Sequence, residues 1–142
     1  GQTYGNKDIW MANMFWPDAL WSAAAQHMMT LREIFEQIPW WRMKPDFQGK
    51  RIRTIRSLMP NASDHYIPTA CTEDGKELAA YISDRRYFTV PGMKYAKDAE
   101  WIDPVSGRRF AAVWADGGRL QIPGHNAGGA DDWLLHIKKN GE

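Results

Sequence analysis

Asp131 and Asp132 are the closest this sequence comes to two carboxylates in one place. Carboxyls that serve one ligand as acid and base must face it together. Neighbours on a strand point to opposite sides, so both could act on one ligand only if the strand began between them. Asp132 therefore reads as a turn acceptor ahead of the run WLLHIKK. Cys71 is the single cysteine, and any of His27, His65, His125 or His136 would have to meet it in space to form a nucleophilic dyad. No local signature accompanies it, so the expectation is a buried, inert thiol. His65, His125, Asp64 and Asp131 could gather round a metal, yet none of them stands at i, i+2 or i, i+4 ligand spacing. Calcium held by loop carboxylates and carbonyls is the one cofactor the loops leave open. GHNAGGAD, residues 124–131, carries a glycine pair but no following helix whose amides could cradle a phosphate, and is expected to be a flexible loop.

Composition narrows the field further. The 142 residues amount to about one domain, and a hydrophobic content of 44% suffices for a core. Eighteen basic residues against seventeen acidic ones, interspersed, leave a formal charge of +1. Nucleic acid or anionic lipid would call for a one-sided basic field, so neither is an expected partner. No apolar run approaches the roughly eighteen residues of a membrane span. A lone cysteine closes no internal disulfide, so the fold must stand on its core. The first residue is not Met and no basic stretch leads into an apolar one, so the expectation is a piece of something longer rather than a signal peptide.

The elements that must position these residues fall into two parts, 1–48 and 49–142. Nine of the eighteen aromatics and five of the seven methionines precede residue 48. There Asp18 or Ser22 can cap a helix, and Leu20, Ala24, Met28, Leu31, Phe35 and Ile38 recur at steps of three and four, marking its apolar face up to Pro39. Trp10, Phe15, Trp16, Trp21, Trp40 and Trp41 surround it. One helix cannot bury so many indoles, so it must pack on the rest of the chain, self-associate or fray. Trp40-Trp41 is expected to latch the helix to the part that follows.

From about residue 50 the pattern is β throughout. IRTIRSLM, YIPTACT, ELAAYIS, RRYFTV, AEWI, RRFAAVW, RLQIP and WLLHIKK give about eight strands separated by turn residues, the pattern of an antiparallel sandwich. Asp74-Gly75 suits a tight hairpin. In Asp103-Pro104-Val105-Ser106-Gly107, Asp caps, Pro fixes φ and Gly accepts a positive φ, which specifies a turn. Side chains two apart share a face, so Ala99 with Trp101, Phe110 with Ala112 and Trp114, Leu120 with Ile122, and Trp133 with Leu135 and Ile137 form the expected inward rows. Tyr81, Tyr87, Leu134 and His136 fall on the opposite faces or in less determined positions.

Several of these stretches resemble a known family. DGKELAAYIS, then Trp101-Ile102-Asp103-Pro104-Val105-Ser106-Gly107, then Ile122-Pro123-Gly124 and Asp132-Trp133-Leu134-Leu135 are similar to the so-called collagen-binding C-terminal domain of many bacterial glycoside hydrolases. Thr3-Tyr4-Gly5, Ile9-Trp10, Gln26-His27-Met28 and Pro39-Trp40-Trp41 resemble the last strand and helix of the (β/α)₈ barrel that precedes that domain in the apiosidase-like enzymes of glycoside hydrolase family 140 and related cellulases. The resemblance covers nearly the whole chain.

The resemblance implies a mainly-β chain, an antiparallel sandwich preceded by a strand-loop-helix segment of a barrel. GQTYG would be the eighth barrel strand, with Tyr4, Asn6 and Trp10 at its substrate-facing loop. Glycoside hydrolysis needs two carboxyls roughly 5–10 Å apart, and in the resembled enzymes these sit on earlier strands. The chain given is therefore expected to be a non-catalytic accessory portion that supports a barrel, exported and acting beside plant or microbial polysaccharide. A second reading is a carbohydrate-binding module that stacks sugars on exposed Tyr66, Tyr81, Tyr87 or Tyr95, and a third is a protein-binding, collagen-type module.

Overall fold

The computed structural model describes residues 16–54, 66–85 and 87–139. These contain ten strands: β1 (Met43–Pro45), β2 (Arg53–Thr54), β3 (Thr69–Thr72), β4 (Glu77–Ile82), β5 (Phe88–Thr89), β6 (Asp98–Ile102), β7 (Arg109–Ala111), β8 (Val113–Ala115), β9 (Arg119–Gln121) and β10 (Trp133–Lys138). They form two antiparallel sheets, one ordered β1-β3-β4-β10-β6-β7 and the other β2-β5-β9-β8. The fold is mainly β, as the alternation and turn signals predict.

Ten strands replace the expected eight for two reasons. Met43–Pro45, which lies in the helical part of the sequence, pairs with β3. RRFAAVW is not one strand but two: β7 pairs with β6, β8 pairs with β9, and the chain passes between sheets at Ala112, whose N–H donates to the Ala99 carbonyl. The remainder of IRTIRSLM beyond Thr54 lies outside the described residues.

The core between the sheets is built from alternate residues. Leu78, Ala80 and Ile82 of β4, Ala99 and Trp101 of β6, Phe88 of β5, Leu120 of β9, and Trp133, Leu135 and Ile137 of β10 are buried together. Phe88 and Trp101 meet edge to face across the layers at 6.1 Å. Of the expected inward rows, Ala112, Trp114 and Ile122 are half-buried against this core. Phe110 stays partly exposed because β7 is an edge strand, although its ring still meets Trp133.

Two turns follow their local chemistry. Asp74-Gly75 joins β3 to β4, with the Gly75 N–H donating to the Thr72 carbonyl and Gly75 at φ +68°. Between β6 and β7, the Asp103 carbonyl accepts from the Gly107 N–H, and Gly107 sits at φ +71°, a conformation open to glycine at little cost.

A short helix, α1 (Trp16–Ala19), precedes α2 (Ala23–Glu36). Ser22 caps α2: its hydroxyl accepts the Ala25 N–H. The helix covers the outer face of the six-stranded sheet, where Ile34 and Ile38 pack with Ile102, Met43, Ala79 and Leu134. That face is only partly the predicted one. Leu20, Met28, Leu31 and Phe35 are exposed, and of the expected row Ile38 is buried, joined by Ile34, which lies outside it. Trp40 and Trp41, in a single 3₁₀ turn, touch each other edge to face, and both are more than half exposed.

Being central and covered on both faces explains why β10 is buried along most of its length. Trp133, Leu135 and Ile137 enter the inter-sheet core, while Leu134 meets the helix.

Candidate functional site

The loop expected to be flexible is instead tied down by hydrogen bonds from Asn126 and Asp103. Asn126 is buried and works in four directions. Its amide nitrogen donates to the Asp132 carbonyl and to Asp132 Oδ1 at 3.1 and 2.7 Å, while its side-chain oxygen accepts the N–H groups of Gly128 and Ala130. A short polar side chain that bonds its own following backbone is the usual device for shaping such a loop. Asp103 anchors the same loop from the neighbouring turn. Its carboxylate accepts the N–H groups of Val105, Ser106 and Ala127 at 2.8, 3.1 and 2.9 Å. Burial pushes this carboxyl upward, but the backbone bonds outweigh it and hold it below the usual carboxylate range. Thr30 on α2 donates to the Val105 carbonyl, which joins helix, turn and loop.

The loop delivers its carboxylates to different partners. Asp131 Oδ1 meets Arg85 Nε at 2.8 Å and His125 Nδ1 at 2.9 Å. Asp132 Oδ2 accepts the Tyr81 hydroxyl at 2.9 Å. The two acids thus serve separate groups, and Asp132 is a turn acceptor at the start of β10. Burial, then the bond to Asp132, raise the Tyr81 phenol above its ordinary value. A half-exposed ring, a guanidinium, an imidazole and two carboxylates share this patch, which can hydrogen-bond and flank a polyol.

The four tyrosines proposed as sugar platforms are all exposed, but they do not form one row. Tyr81 lies on the outer face of β4. Tyr66 precedes β3, and its hydroxyl donates to the Asp46 carbonyl. Tyr87 precedes β5 with the Arg119 guanidinium over its ring, and Tyr95 sits beyond a 3₁₀ turn (Pro91–Met93) with its ring edge-on to Trp114. Among the described residues no ring contact joins two of the four. Tyr4, Asn6 and Trp10 lie outside the described residues.

Sequence reasoning missed one constellation. On the outer face of the six-stranded sheet, His136 of β10 is only 2% exposed and stands between Glu77 of β4 and Glu100 of β6. Nε2 is 2.9 Å from Glu77 Oε1 and Nδ1 is 3.0 Å from Glu100 Oε1. Arg109 pairs with Glu100, and Lys138 Nζ is 3.5 Å from Glu77, so charges alternate in sign across four strands. The register could have shown it: His136 stands opposite Ala79 on one side and Glu100 on the other, with Glu77 one step along the same face. The imidazole fills the space between the two acids, so no substrate can enter between them.

Cys71 faces the inter-sheet core, and burial pushes its thiol up, away from the thiolate that a nucleophile requires. Among the described residues, no group of three or more His, Cys, Asp or Glu side chains is arranged to hold a metal ion, and no helix is long and apolar enough to cross a membrane. No protein-family model matches the chain, and no curated protein is similar enough to match it.

Proposed function

We propose that this chain is a non-catalytic accessory portion of a carbohydrate-active glycoside hydrolase, a β-sandwich whose outer helix braces a catalytic (β/α)₈ barrel. The observation that carries this reading is the unpartnered side of α2. Met28, Leu31 and Phe35 of α2 form an exposed row, preceded by exposed Leu20 and by Trp21 at 81% exposure between the two helices and followed by Trp40 and by Trp41 at 65%. Apolar surface of this extent is costly to leave in water and marks a docking face. In the resembled enzymes a barrel precedes this domain. The W-x-D-P-x-S-G motif, which here forms the anchored turn between β6 and β7, supports the same resemblance.

Reading the gene upstream tests the proposal directly. Seven further βα units, with carboxylates on the fourth and seventh strands, are expected, and a preceding sequence without them removes the reading. In the longer protein, acrylamide should quench tryptophan emission much less per indole than in this chain alone. The isolated chain should release no aglycone from aryl glycosides above background, and a rate abolished by Asp132→Ala would overturn its non-catalytic assignment.

A second reading, carbohydrate binding by the sandwich itself, is favoured by the exposed Tyr81 beside Asp132, Asp131 and Arg85. Migration through gels containing soluble glycans checks it, and unchanged mobility with every glycan would exclude it.

A further inference from the structure

Helix α2 carries a second stripe beside the one that meets the sheet. Ala24, Met28, Leu31 and Phe35 recur at steps of four, three and four, the a/d spacing by which one helix packs lengthwise along another. All four are exposed among the described residues, whereas Ile34 and Ile38, on the adjoining side, are buried on the sheet. Exposed Trp21 stands three residues before Ala24, ahead of the capping Ser22, and exposed Trp40 and Trp41 follow the other end. A helix of 14 residues is about 21 Å long. The indoles at one end therefore cannot shield those at the other within one chain.

Charge is spread unevenly along the same helix. Its first turn has no acidic residue and its last turn no basic one. Residues 23–31 hold no Asp, Glu, Lys or Arg, while Arg32, Glu33 and Glu36 crowd the C-terminal end, with Arg32 Nε at 2.7 Å from Glu36 Oε1. The two carboxylates thus stand at the negative end of the helix dipole, where a carboxylate is least favoured. An antiparallel neighbour reverses this, because its own positive N-terminal end then runs alongside them.

We propose that two copies of this chain pair through α2, antiparallel, about a two-fold axis passing between Met29 and Thr30. That axis sets Ala24 level with Phe35 of the second copy and Met28 level with its Leu31, so the large ring meets the small methyl. Glu36 comes level with Ala23, Glu33 with Gln26 and Arg32 with His27, and no carboxylate faces another. At both ends Trp21 of one copy is brought toward Trp40 and Trp41 of the other. Parallel pairing in register would instead set Phe35 on Phe35, Glu33 on Glu33 and Glu36 on Glu36. The contact is isologous, so it closes at two copies. Three indoles with Phe35, Met28 and Leu31 amount to on the order of several hundred Å² per copy, short of the roughly 800 Å² of a standard interface. The dimer is therefore weak and forms at high concentration. The inference rests on the reading of this side of α2 as a docking face, and names what covers it when the chain stands by itself.

Sedimentation equilibrium of the whole chain tests it, from about 5 μM to about 500 μM, the range over which so small an interface should dissociate. The mass should rise from one chain to two and no further. Leu31→Glu should weaken the association about tenfold or more without changing far-ultraviolet circular dichroism, while Met29→Gln, on another side of the helix, should leave it intact. In a Cys71→Ala background, Ala24→Cys and Phe35→Cys chains mixed at the upper concentration with oxidised glutathione should form a disulfide between unlike chains, and neither variant alone should link to itself. A single-chain mass at every concentration overturns this inference and leaves the bracing of a barrel standing. Growth beyond two copies also overturns it, as does association that survives Leu31→Glu or is lost with Met29→Gln, or self-linking by either cysteine variant. An upstream sequence without the βα units removes the bracing reading alone and leaves the dimer in place.

Discussion

The Asp103 carboxylate accepts the backbone N–H of Ala127 at 2.9 Å, fastening the turn after β6 to the loop that leads into β10. Two further N–H groups, of Val105 and Ser106, point at the same carboxylate, and the residue is almost fully buried. One side chain therefore organises two segments that are far apart in sequence.

Asp103→Asn should lower stability by about 2 kcal/mol, the scale of a hydrogen bond to a charged group, because the amide turns donors toward donors. The folded carboxyl titrates below its unfolded value of about 3.9. Its contribution is thus present above that pH and is lost as pH falls through the folded value. Urea unfolding from pH 7 down to pH 3 should show a steeper acid loss in the parent chain than in the variant, and parallel curves would remove the assignment.

His136→Ala should cost about 3 kcal/mol or more, since it leaves Glu77 and Glu100 facing one another across a buried gap with Arg109 and Lys138 only partly compensating. Thermal unfolding of the variant reads this directly. Replacing both acids as well, with Glu77→Gln and Glu100→Gln, should recover part of the loss. A single-variant cost under about 1 kcal/mol would show that the charges are solvated rather than coupled.

Ile34→Ala should destabilise the helix contact by about 2–4 kcal/mol, because Ile34 packs against Ile102 beneath it. Phe35→Ala, one position along and turned to solvent, should stay within about 0.5 kcal/mol in the isolated chain. Denaturant titration separates the two, and equal effects would mean that the helix sits in another rotation.

Cys71 should react with a disulfide reagent only as fast as the chain opens, since it is buried and its thiol is pushed up. A thiol raised in the folded state favours folding below the unfolded thiol value, about 8.5, and disfavours it as pH climbs past that value. Labelling at pH 7.5 should show no burst, and stability should decline above pH 9 less steeply in Cys71→Ala. Immediate labelling under native conditions would place the thiol at the surface.

What the sequence determined by itself was local. Period-two alternation assigned Trp101, Leu120, Trp133, Leu135 and Ile137 inward, and the chemistry of Asp74-Gly75 and of Asp103 through Gly107 placed two hairpins, because pleat and turn geometry depend on a few consecutive residues. Tertiary structure alone decided which elements meet. Helix α2 is apolar on more than one side, so periodicity found Leu31 and Phe35 along with Ile38, while packing on the sheet selected Ile34 and Ile38. Only the insertion of β10 between β4 and β6 brought His136 to Glu77 and Glu100, and only the closing of the sandwich gathered Lys76, Lys94, Lys97 and Lys139 round one cleft. Contacts between residues dozens of positions apart depend on the free energy of the whole packed arrangement, and no stretch of neighbouring residues encodes that quantity.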